Sequence, residues 1–261
     1  MSDAPALRVT GLIAGHDGVP VVTGLDLTVG AGEVVALLGA NGAGKTTTLL
    51  TVSGLIPMLG GSVEMDGVAV SSGRVLRRGR SRQVVELARS GLSHVPEDRS
   101  LFFDLTTREN ILLGRRRTQA GEVTEDLDRV LGYFPGLASH LDQMAGSLSG
   151  GQQQMLALAR AVISRPRLLL VDELSLGLAP IIVEQLLPVL RTIADTTGAG
   201  VLIVEQHVHL ALSVSDRAYV LRRGRVTASG SADLLASRPD LVEAGYFGDG
   251  ATSGDRAAFG A

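Results

Sequence analysis

A glycine-rich segment carries the residue types best suited to bind a phosphate. Residues 39–46 match the pattern G-x-x-x-x-G-K-[ST], with a strand-like apolar run before them and a helical segment after them. Glycines let backbone N–H groups surround a phosphate without a Cβ in the way, and the helix N-terminus adds positive potential. Lys45 is expected to reach the β- and γ-phosphates of a nucleotide, and the Thr46 hydroxyl to coordinate Mg²⁺. An ordinary glycine-rich turn is the alternative, but it does not explain why the single lysine of the chain stands here.

Two adjacent acids follow a second apolar run, at 168–171. Asp172 is expected at the carboxyl end of a strand, beside the phosphate loop, where it would hold Mg²⁺ through water. Glu173 could orient or deprotonate the attacking water. Taken alone, such a pair is more often a solvated strand end, and the phosphate loop upstream is what favours the catalytic interpretation.

A serine followed by two glycines opens another helical segment, in which apolar residues recur at helical spacing. Ser149 is a suitable N-cap, so a capped helix start is the structural alternative. That alternative does not explain why both Gly150 and Gly151 open a helix that they weaken. With Leu148 and Gln152, the run therefore predicts a second phosphate-binding helix N-terminus.

Apolar runs alternate with helical segments, and the alternation predicts the sheet that positions these residues. Strands are predicted at 6–9, 25–29, 34–38, 168–171 and 201–204, with a hairpin around 63–67. Strands that alternate with helices favour an α/β fold with a mostly parallel sheet and right-handed crossovers. A helix is predicted over 181–195, in which Pro188 is expected to kink the helix or to end its first part.

The pattern of residues 101–146 is mainly helical and more polar, which predicts an inserted helical subdomain. We predict a single domain over 1–248. The remaining segment, 249–261, is small and glycine-rich, and we expect it to form a disordered tail.

Composition excludes several classes of protein. The 261 residues include 24 Lys plus Arg and 27 Asp plus Glu, a net charge of −3, which argues against nucleic-acid binding through bulk positive charge. The absence of cysteine excludes disulfides, thiolate metal sites and cysteine nucleophiles. No apolar run approaches the ~18–20 residues of a membrane span, and the N-terminus lacks the pattern of a secretory signal. We therefore expect an intracellular protein with one core.

The phosphate loop, the run around Ser149 and the paired acids occur in the order typical of ATP-binding cassette (ABC) ATPases, which the chain resembles over about residues 7–248. The resemblance implies a P-loop NTPase fold with a mostly parallel core sheet, an N-terminal antiparallel β subdomain and an inserted helical subdomain. It also implies hydrolysis of ATP with Mg²⁺. Each ATP would be held between two subunits, with Ser149 of one subunit closing on the nucleotide of the other.

Within that family the chain is similar to the smaller ATPase of branched-chain amino-acid importers. The similar stretches are 39–44, 95–97, 175–180 and 204–206. Most ABC ATPases have a glutamine at the position of Glu97, where it touches Mg²⁺ and the transmembrane partner, whereas the amino-acid importer branch often has glutamate. Leu174 replaces a nearly constant proline, so we expect a looser loop behind Glu173.

The switch histidine of the family is replaced by Gln206, which can hydrogen-bond a γ-phosphate but cannot titrate. His207 is a possible substitute, although a solvated loop histidine is the favoured interpretation. His16 lies near the position of the adenine-stacking ring, where it would either stack or serve as a polar turn residue.

The predicted catalytic residues are Glu173, Lys45, Gln206 and His207, and the predicted Mg²⁺ ligands are Thr46, Asp172 and Glu97. The predicted nucleotide contacts are His16, Gly39, Ala40, Asn41, Gly42, Ala43, Gly44, Lys45, Thr46, Thr47, Glu97, Ser149, Gly150, Gly151 and Gln152.

The resemblance implies a second ABC ATPase as partner, in a hetero-pair by preference, together with permease subunits and, indirectly, a substrate-binding protein. It implies a location at the cytoplasmic face of the membrane and no nucleic acid. Two arginine groups, 74–82 and 115–117, are interpreted as solvated surface, with contact to lipid head groups or a permease loop as the alternative.

Three other functions remain open at this point. An ABC ATPase could serve another cargo, such as urea, other amides or a lipid-linked glycan. A soluble ABC protein could act as a nucleotide-gated clamp on nucleic acid or ribosomes, although such proteins usually carry two cassettes, a coiled-coil insertion or zinc cysteines. A poor hydrolase that mainly binds ATP is the third.

Overall fold

Two β-sheets with helices packed around them form the part of the chain that this computed structural model describes, residues 4–70, 77–116 and 121–247. The strands are β1 (Leu7–His16), β2 (Val19–Val29), β3 (Val34–Leu38), β4 (Met58–Met65), β5 (Val68–Val70), β6 (Leu92–Val95), β7 (Leu168–Asp172), β8 (Gly200–Glu205), β9 (Arg217–Arg222) and β10 (Arg225–Ser231). The α-helices are α1 (Lys45–Val52), α2 (Arg77–Ser90), α3 (Thr107–Leu113), α4 (Val123–Tyr133), α5 (Gly150–Val162), α6 (Pro180–Thr197), α7 (Val208–Val214), α8 (Ala232–Ser237) and α9 (Pro239–Phe247). Two 3₁₀ helices, Pro135–His140 and Ala145–Ser147, lie between α4 and α5.

The larger sheet has the strand order β10-β9-β3-β8-β7-β6 and is parallel except for the antiparallel pair β9–β10. Every residue of β3, β7 and β8 is buried, as a strand covered on both faces requires. The register pairs Leu38 with Glu205 and Asp172 with Val204, so the three strands end at one edge. The predicted α/β fold with a mostly parallel sheet is confirmed.

The smaller sheet is antiparallel, with the order β2-β1-β4-β5. Asp66 and Gly67 form the turn between β4 and β5, with φ angles of 50° and 76°. Positive φ at two consecutive turn residues suits a tight hairpin, so the predicted hairpin is confirmed. The strands β1 and β2 are longer than the sequence pattern predicted, because shifts in register interrupt their alternation.

Alternate residues of β3 divide the apolar interior into two clusters. Val34, Ala36 and Leu38 pack with the helical side of the molecule, whereas Val35 and Leu37 pack with the antiparallel sheet. Successive side chains of a strand point to opposite faces, so β3 is held from both sides. The phosphate loop that follows Leu38 therefore begins from a fixed point.

The predicted helical insertion at 101–146 contains α3, α4 and the 3₁₀ helices. The fully buried Asp126 of α4 accepts ion pairs from Arg115 at 2.8 Å, Arg165 at 2.9 Å and Arg129 at 3.4 Å. Arg115 follows α3 and Arg165 follows α5, so one carboxylate joins three helices of this region. A buried carboxylate needs such partners to be stable.

The interpretation of Arg115 and Arg116 as solvated surface is wrong. Arg115 pairs with the buried Asp126, and Arg116 donates to the carbonyl oxygens of Arg89 and Arg165 at 3.4 and 3.1 Å. Burial lowers the pKa of Arg116. Local charge patterning could not reveal these partners, because they lie on other elements.

Pro188 does not end a helix, since α6 runs through it from Pro180 to Thr197. The proline lies on the exposed face of α6, where water can satisfy the carbonyl that loses its N–H partner. The expectation that the first part of the helix would end there is therefore wrong.

Several sequence predictions fall outside the described residues: the tail at 249–261, Arg117, and the side chains of the arginines at 74–82. Among the residues that are described, no helix is both long enough and apolar enough to cross a membrane.

Replacing Asp126 by asparagine tests the buried arginine cluster. We expect Asp126→Asn to lower the free energy of unfolding by about 3 kcal/mol, because three guanidinium groups lose the charge that compensates them. Thermal denaturation measures this. Asp142→Asn is the matched control, because Asp142 is 93% exposed and 3.6 Å from Arg108, and it should change the midpoint little. Equal effects of the two substitutions would contradict the structural role of Asp126.

Candidate functional site

A cleft of about 370 Å³ lies at the edge where β3, β7 and β8 end. Ligands of open parallel sheets bind at this carboxyl edge. Its lining residues are Val21, Asn41, Gly42, Gly44, Lys45, Thr46, Thr47, Glu97, Glu173, Leu176 and Gln206. The fold therefore brings most of the predicted phosphate loop together with Glu97, Glu173 and Gln206.

The phosphate loop needs glycine at the point where it turns into α1. Gly44 is the N-cap of α1 and has a φ of 107°, which L side chains rarely adopt. A Cβ on Gly44 would lie 2.7 Å from Cγ2 of Val22, a distance that real Cβ atoms do not reach. The loop therefore presents its backbone to the cleft without a side chain at this turn.

Lys45 is 4% exposed, and its ammonium group is surrounded by oxygen. Nζ donates to the carbonyl oxygens of Gly39 at 2.7 Å and Ala40 at 3.3 Å, and it lies 3.3 Å from Oε1 of Glu173. A buried charge is tolerated only with such compensation. A phosphate oxygen in the cleft would offer Lys45 a further charged partner.

Glu173 is 8% exposed and stands in a backbone conformation that is unusual for a side-chain-bearing residue, with a φ of 44°. Its N–H donates to the carbonyl of Val204 at 3.0 Å. One carboxylate oxygen faces Lys45, and the other accepts a hydrogen bond from Nε2 of Gln206. Strained backbone of this kind is often found at functional sites.

The loop behind Glu173 is anchored by Glu205, a residue of the stretch 204–206 for which no individual role was predicted. Glu205 is fully buried and accepts from the Ser175 N–H at 3.0 Å and from the Ser175 hydroxyl at 2.6 Å. Burial raises the pKa of Glu205, and the hydrogen bonds from Ser175 act in the opposite direction. Leu174 is fully buried. The expected looser loop is therefore not found.

Asp172 has the properties of a cation ligand. It is 1% exposed, and its Oδ1 has no hydrogen-bond partner. Burial raises its pKa to about 6, and hydrogen bonding by Thr46 acts against the shift. An orphaned, buried carboxylate oxygen beside Thr46 fits Mg²⁺, which is usually held by one or two carboxylates plus substrate phosphates. Glu97 lines the same cleft.

No group of three or more His, Cys, Asp or Glu that could hold a metal occurs among the described residues.

The predicted second phosphate-binding terminus starts α5. Ser149 is its N-cap and forms a capping box with Gln152: the Gln152 N–H donates to Oγ at 3.3 Å, and the Ser149 N–H donates to Oε1 at 2.9 Å. A Cβ on Gly151 would lie 2.9 Å from Cγ2 of Ile182, so this glycine has a packing reason. At Gly150 the nearest atom would be 3.7 Å away, which gives no packing reason.

Ser149 and Gly150 are exposed, and residues 149–152 are not among the described residues that line the cleft. Within one chain, therefore, the fold does not bring this terminus to the phosphate loop.

The two candidate switch residues differ in position. Gln206 lines the cleft, whereas His207 is exposed as the N-cap of α7 and is not among the described lining residues.

His16 is exposed at the end of β1, with Nε2 3.4 Å from Oγ1 of Thr47. The structure thus places His16 beside the helix that follows the phosphate loop, at the edge of the cleft.

Known proteins resemble the chain in sequence and in fold. The sequence pattern of the ABC transporter family matches residues 22–175. The high-affinity branched-chain amino acid transport ATP-binding protein BraG of Pseudomonas aeruginosa is 39% identical, over 86% of this chain and 91% of BraG. The probable branched-chain amino acid transport ATP-binding protein LivF of Archaeoglobus fulgidus is 31% identical, over 88% and 93%. The lipopolysaccharide export system ATP-binding protein LptB of Escherichia coli is 34% identical, over 93% and 97%.

Solved structures agree on the fold. The structure of CbiO1 from Clostridium perfringens, described as part of the ABC transporter complex CbiONQ, superposes with a TM-score of 0.78 at 22% identity, over 92% of this chain and 94% of CbiO1.

ATP and Mg²⁺ are the ligands that this family uses, and the cleft has the phosphate loop, the lysine and the orphaned carboxylate that they require. The family pattern covers more than half of the chain, and the similarity to BraG extends well beyond it. The protein therefore belongs to the ABC transporter family, as an ATP-hydrolysing subunit of a transporter.

Proposed function

We propose that this ATPase powers the uptake of branched-chain or related amino acids through a membrane permease, from the cytoplasmic face of the membrane. The observation that carries the proposal is the 39% identity with BraG over nearly the full length of both chains. The similar stretches at 95–97, 175–180 and 204–206 support it, because they include Glu97, Ser175, Glu205 and Gln206, which lie in or behind the cleft.

Hydrolysis in this cleft is a matter of positioning and charge neutralisation. Lys45 and the backbone amides of the phosphate loop would face the β- and γ-phosphates of a bound ATP, where negative charge develops during hydrolysis. Mg²⁺, when bound, supplies further neutralisation of the phosphate oxygens, and Thr46 and Asp172 would hold it, with Glu97 nearby.

Glu173 is the proposed general base. In the structure its carboxylate is shared between Lys45 and Gln206. A γ-phosphate that engages Lys45 competes with Glu173 for the ammonium group, which leaves Glu173 available to orient a water and to accept its proton. Gln206 would then hold the carboxylate and hydrogen-bond the γ-phosphate. His207, exposed outside the cleft, is the weaker candidate for that role.

A second subunit would complete the site. Ser149 and Gly150 are exposed at the N-terminus of α5, so they are accessible to the nucleotide of another ATPase. We propose a dimer in which residues 149–152 of each subunit face the phosphates bound by the other, and a hetero-pair is preferred because importers of the branched-chain type pair two different ATPases. His16 is proposed to stack on the adenine.

The permease would contact an apolar patch formed by the two ends of the segment 101–146, which hydrogen bonds such as that from the Gly146 N–H to the carbonyl of Phe103 bring together. Phe102, Phe103 and Met144 are 56%, 54% and 52% exposed. Exposed large apolar side chains that cluster in this way mark interaction surfaces. The loop that bears both phenylalanines begins near Glu97. Movement of the two ATPase subunits as they close on the nucleotide can therefore be transmitted to the permease through this segment.

A second candidate cargo has its own support. LptB is 34% identical over 93% of this chain, so a lipid-linked glycan is the alternative substrate. An ATPase subunit does not contact the cargo, and the two candidates differ in the partner proteins they require.

The proposed base is tested by Glu173→Gln. We expect ATP binding to be kept and turnover to fall by about 100-fold or more, because the amide cannot accept a proton. Phosphate release and nucleotide affinity are measured together. Glu184→Gln, at an exposed position of α6, is the matched control and should hydrolyse ATP at the wild-type rate. A Glu173→Gln protein that turns over normally would remove Glu173 as the base.

The orphaned carboxylate is tested by Asp172→Asn. The pKa of Asp172 is higher in the folded protein, about 6, than in an unfolded chain, so this group stabilises the fold at low pH and the stabilisation is lost as the pH rises through 6. Without added nucleotide, we expect the variant to be more stable than the wild type at pH 7.5 by about 2 kcal/mol. The difference in free energy of unfolding between the variant and the wild type should shrink as the pH falls from 6 to 4.

The same variant should lose the additional thermal stabilisation that MgATP gives to the wild type, since its amide is a weaker Mg²⁺ ligand. Identical pH profiles for the two proteins would contradict the assignment of the raised pKa, and unchanged stabilisation by MgATP would contradict Asp172 as a metal ligand.

The transport role is tested by capturing the tagged protein from solubilised native membranes and identifying what co-purifies. We expect two polytopic permeases, a second ABC ATPase and a substrate-binding protein whose ligand can then be measured. Recovery of lipid-glycan export components would instead select the alternative cargo. Ribosomal or DNA-bound partners without any membrane protein would contradict transport altogether.

A further inference from the structure

The last helix of the described chain, α9, contributes a side chain that hydrogen-bonds the backbone of the phosphate loop, although α9 lies well beyond the residues 22–175 that match the family pattern. The hydroxyl of Tyr246 accepts a hydrogen bond from the Gly39 N–H at 3.0 Å. It also donates to the carbonyl oxygen of Gln206 at 3.5 Å. One phenol group therefore bridges the start of the phosphate loop and the end of β8.

The direction of both hydrogen bonds follows from their partners. A backbone N–H can only donate and a backbone carbonyl can only accept, so the hydroxyl must be protonated to make both contacts. Burial raises the pKa of Tyr246 to about 12. The phenol therefore remains a donor at neutral pH.

The position of Tyr246 is fixed by the packing of α9. At the preceding residue, Gly245, a Cβ would lie 2.3 Å from Cγ1 of Val220 and 2.9 Å from Oγ1 of Thr227. The helix thus lies against β9 and β10 more closely than any side chain would allow. Val242, one turn earlier, is 1% exposed. A helix held in this way can place a hydroxyl reproducibly.

The bridge leads directly to the proposed base. The main chain of Gln206 is the acceptor for Tyr246, and the side chain of Gln206 donates to Glu173. Glu173 in turn pairs with Lys45, which belongs to the phosphate loop. A hydrogen-bonded circuit therefore runs from the phosphate loop through Tyr246 and Gln206 to Glu173 and back to the loop.

We infer that Tyr246 is a positioning residue for ATP hydrolysis: its hydroxyl fixes the main chain of Gln206 relative to the phosphate loop and so orients Glu173. This inference rests on the roles proposed above for Glu173 and Gln206. Phenylalanine fills nearly the same volume as tyrosine, so the hydroxyl alone can be removed while the packing of α9 is kept.

The experiment compares Tyr246→Phe, Gln206→Ala and the double variant in steady-state ATP hydrolysis. We expect Tyr246→Phe to lower kcat by about three- to tenfold, the range for losing one or two hydrogen bonds. The KM for ATP should stay within about twofold, because the other phosphate-loop contacts are untouched. Tyr133→Phe is the matched control: its hydroxyl bonds Oγ1 of Thr196 at 2.7 Å, and neither residue is among the described residues that line the cleft. That variant should keep the wild-type kcat.

The double variant decides the route. If Tyr246 acts through Gln206, adding Tyr246→Phe to Gln206→Ala should change kcat no further. Multiplying effects would overturn this route, as would a Tyr246→Phe protein with wild-type kcat, or a loss that appears in KM alone. A Gln206→Ala protein with wild-type kcat would overturn it as well.

Failure of the inference can be separated from failure of the proposed chemistry. Loss of turnover in Glu173→Gln together with normal turnover in Tyr246→Phe would contradict only the positioning role of Tyr246. Normal turnover in Glu173→Gln sinks the proposed base itself.

Discussion

The burial of one ammonium group is the constraint on which the site depends. Lys45 is 4% exposed, and a cation at such a position is stable only where oxygen atoms surround it. Two of those oxygens come from the loop itself, and the third comes from Glu173 at the end of β7. The sheet must therefore hold β3 and β7 in a fixed relation, and β8 between them does so through parallel pairing on both sides. The Lys45 ammonium group can therefore be buried only because the central strands stand in this order.

The residues with local signals were predictable from the sequence. The phosphate loop depends on glycine conformations and on a strand and a helix next to it. The order of residue types along the sequence shows the glycines as well as the flanking strand and helix. The buried strands of the sheet show as apolar runs, and the Asp66–Gly67 turn shows as residues that tolerate positive φ. Ser149 was predicted as an N-cap, and the capping box with Gln152 confirms it. In each case the physical cause lies within a few residues of its effect.

The remaining features have causes that lie far away in the chain. Ser175 is anchored by a carboxylate 30 residues later, and Gly39 is bound by a hydroxyl 207 residues later. Arg115 was predicted to be solvated because the sequence around it does not show that Asp126 is buried and pairs with it. Pro188 looked like a helix breaker because the sequence does not show that its face of α6 is open to water. Tertiary packing decides these positions, and a single sequence carries no signal for it.

The acids around the cleft show how such distant contacts set function. Asp172, Glu173 and Glu205 are all buried within one small region, and each would repel the others if it were ionised without a partner. Their partners differ: Ser175 satisfies Glu205, Lys45 and Gln206 satisfy Glu173, and Oδ1 of Asp172 has none. The three carboxylates are thereby divided into one that holds a loop, one held ready to orient water, and one left open for a cation. Because the division follows from hydrogen bonding and not from residue type, the same three acids with other partners would not make the same site.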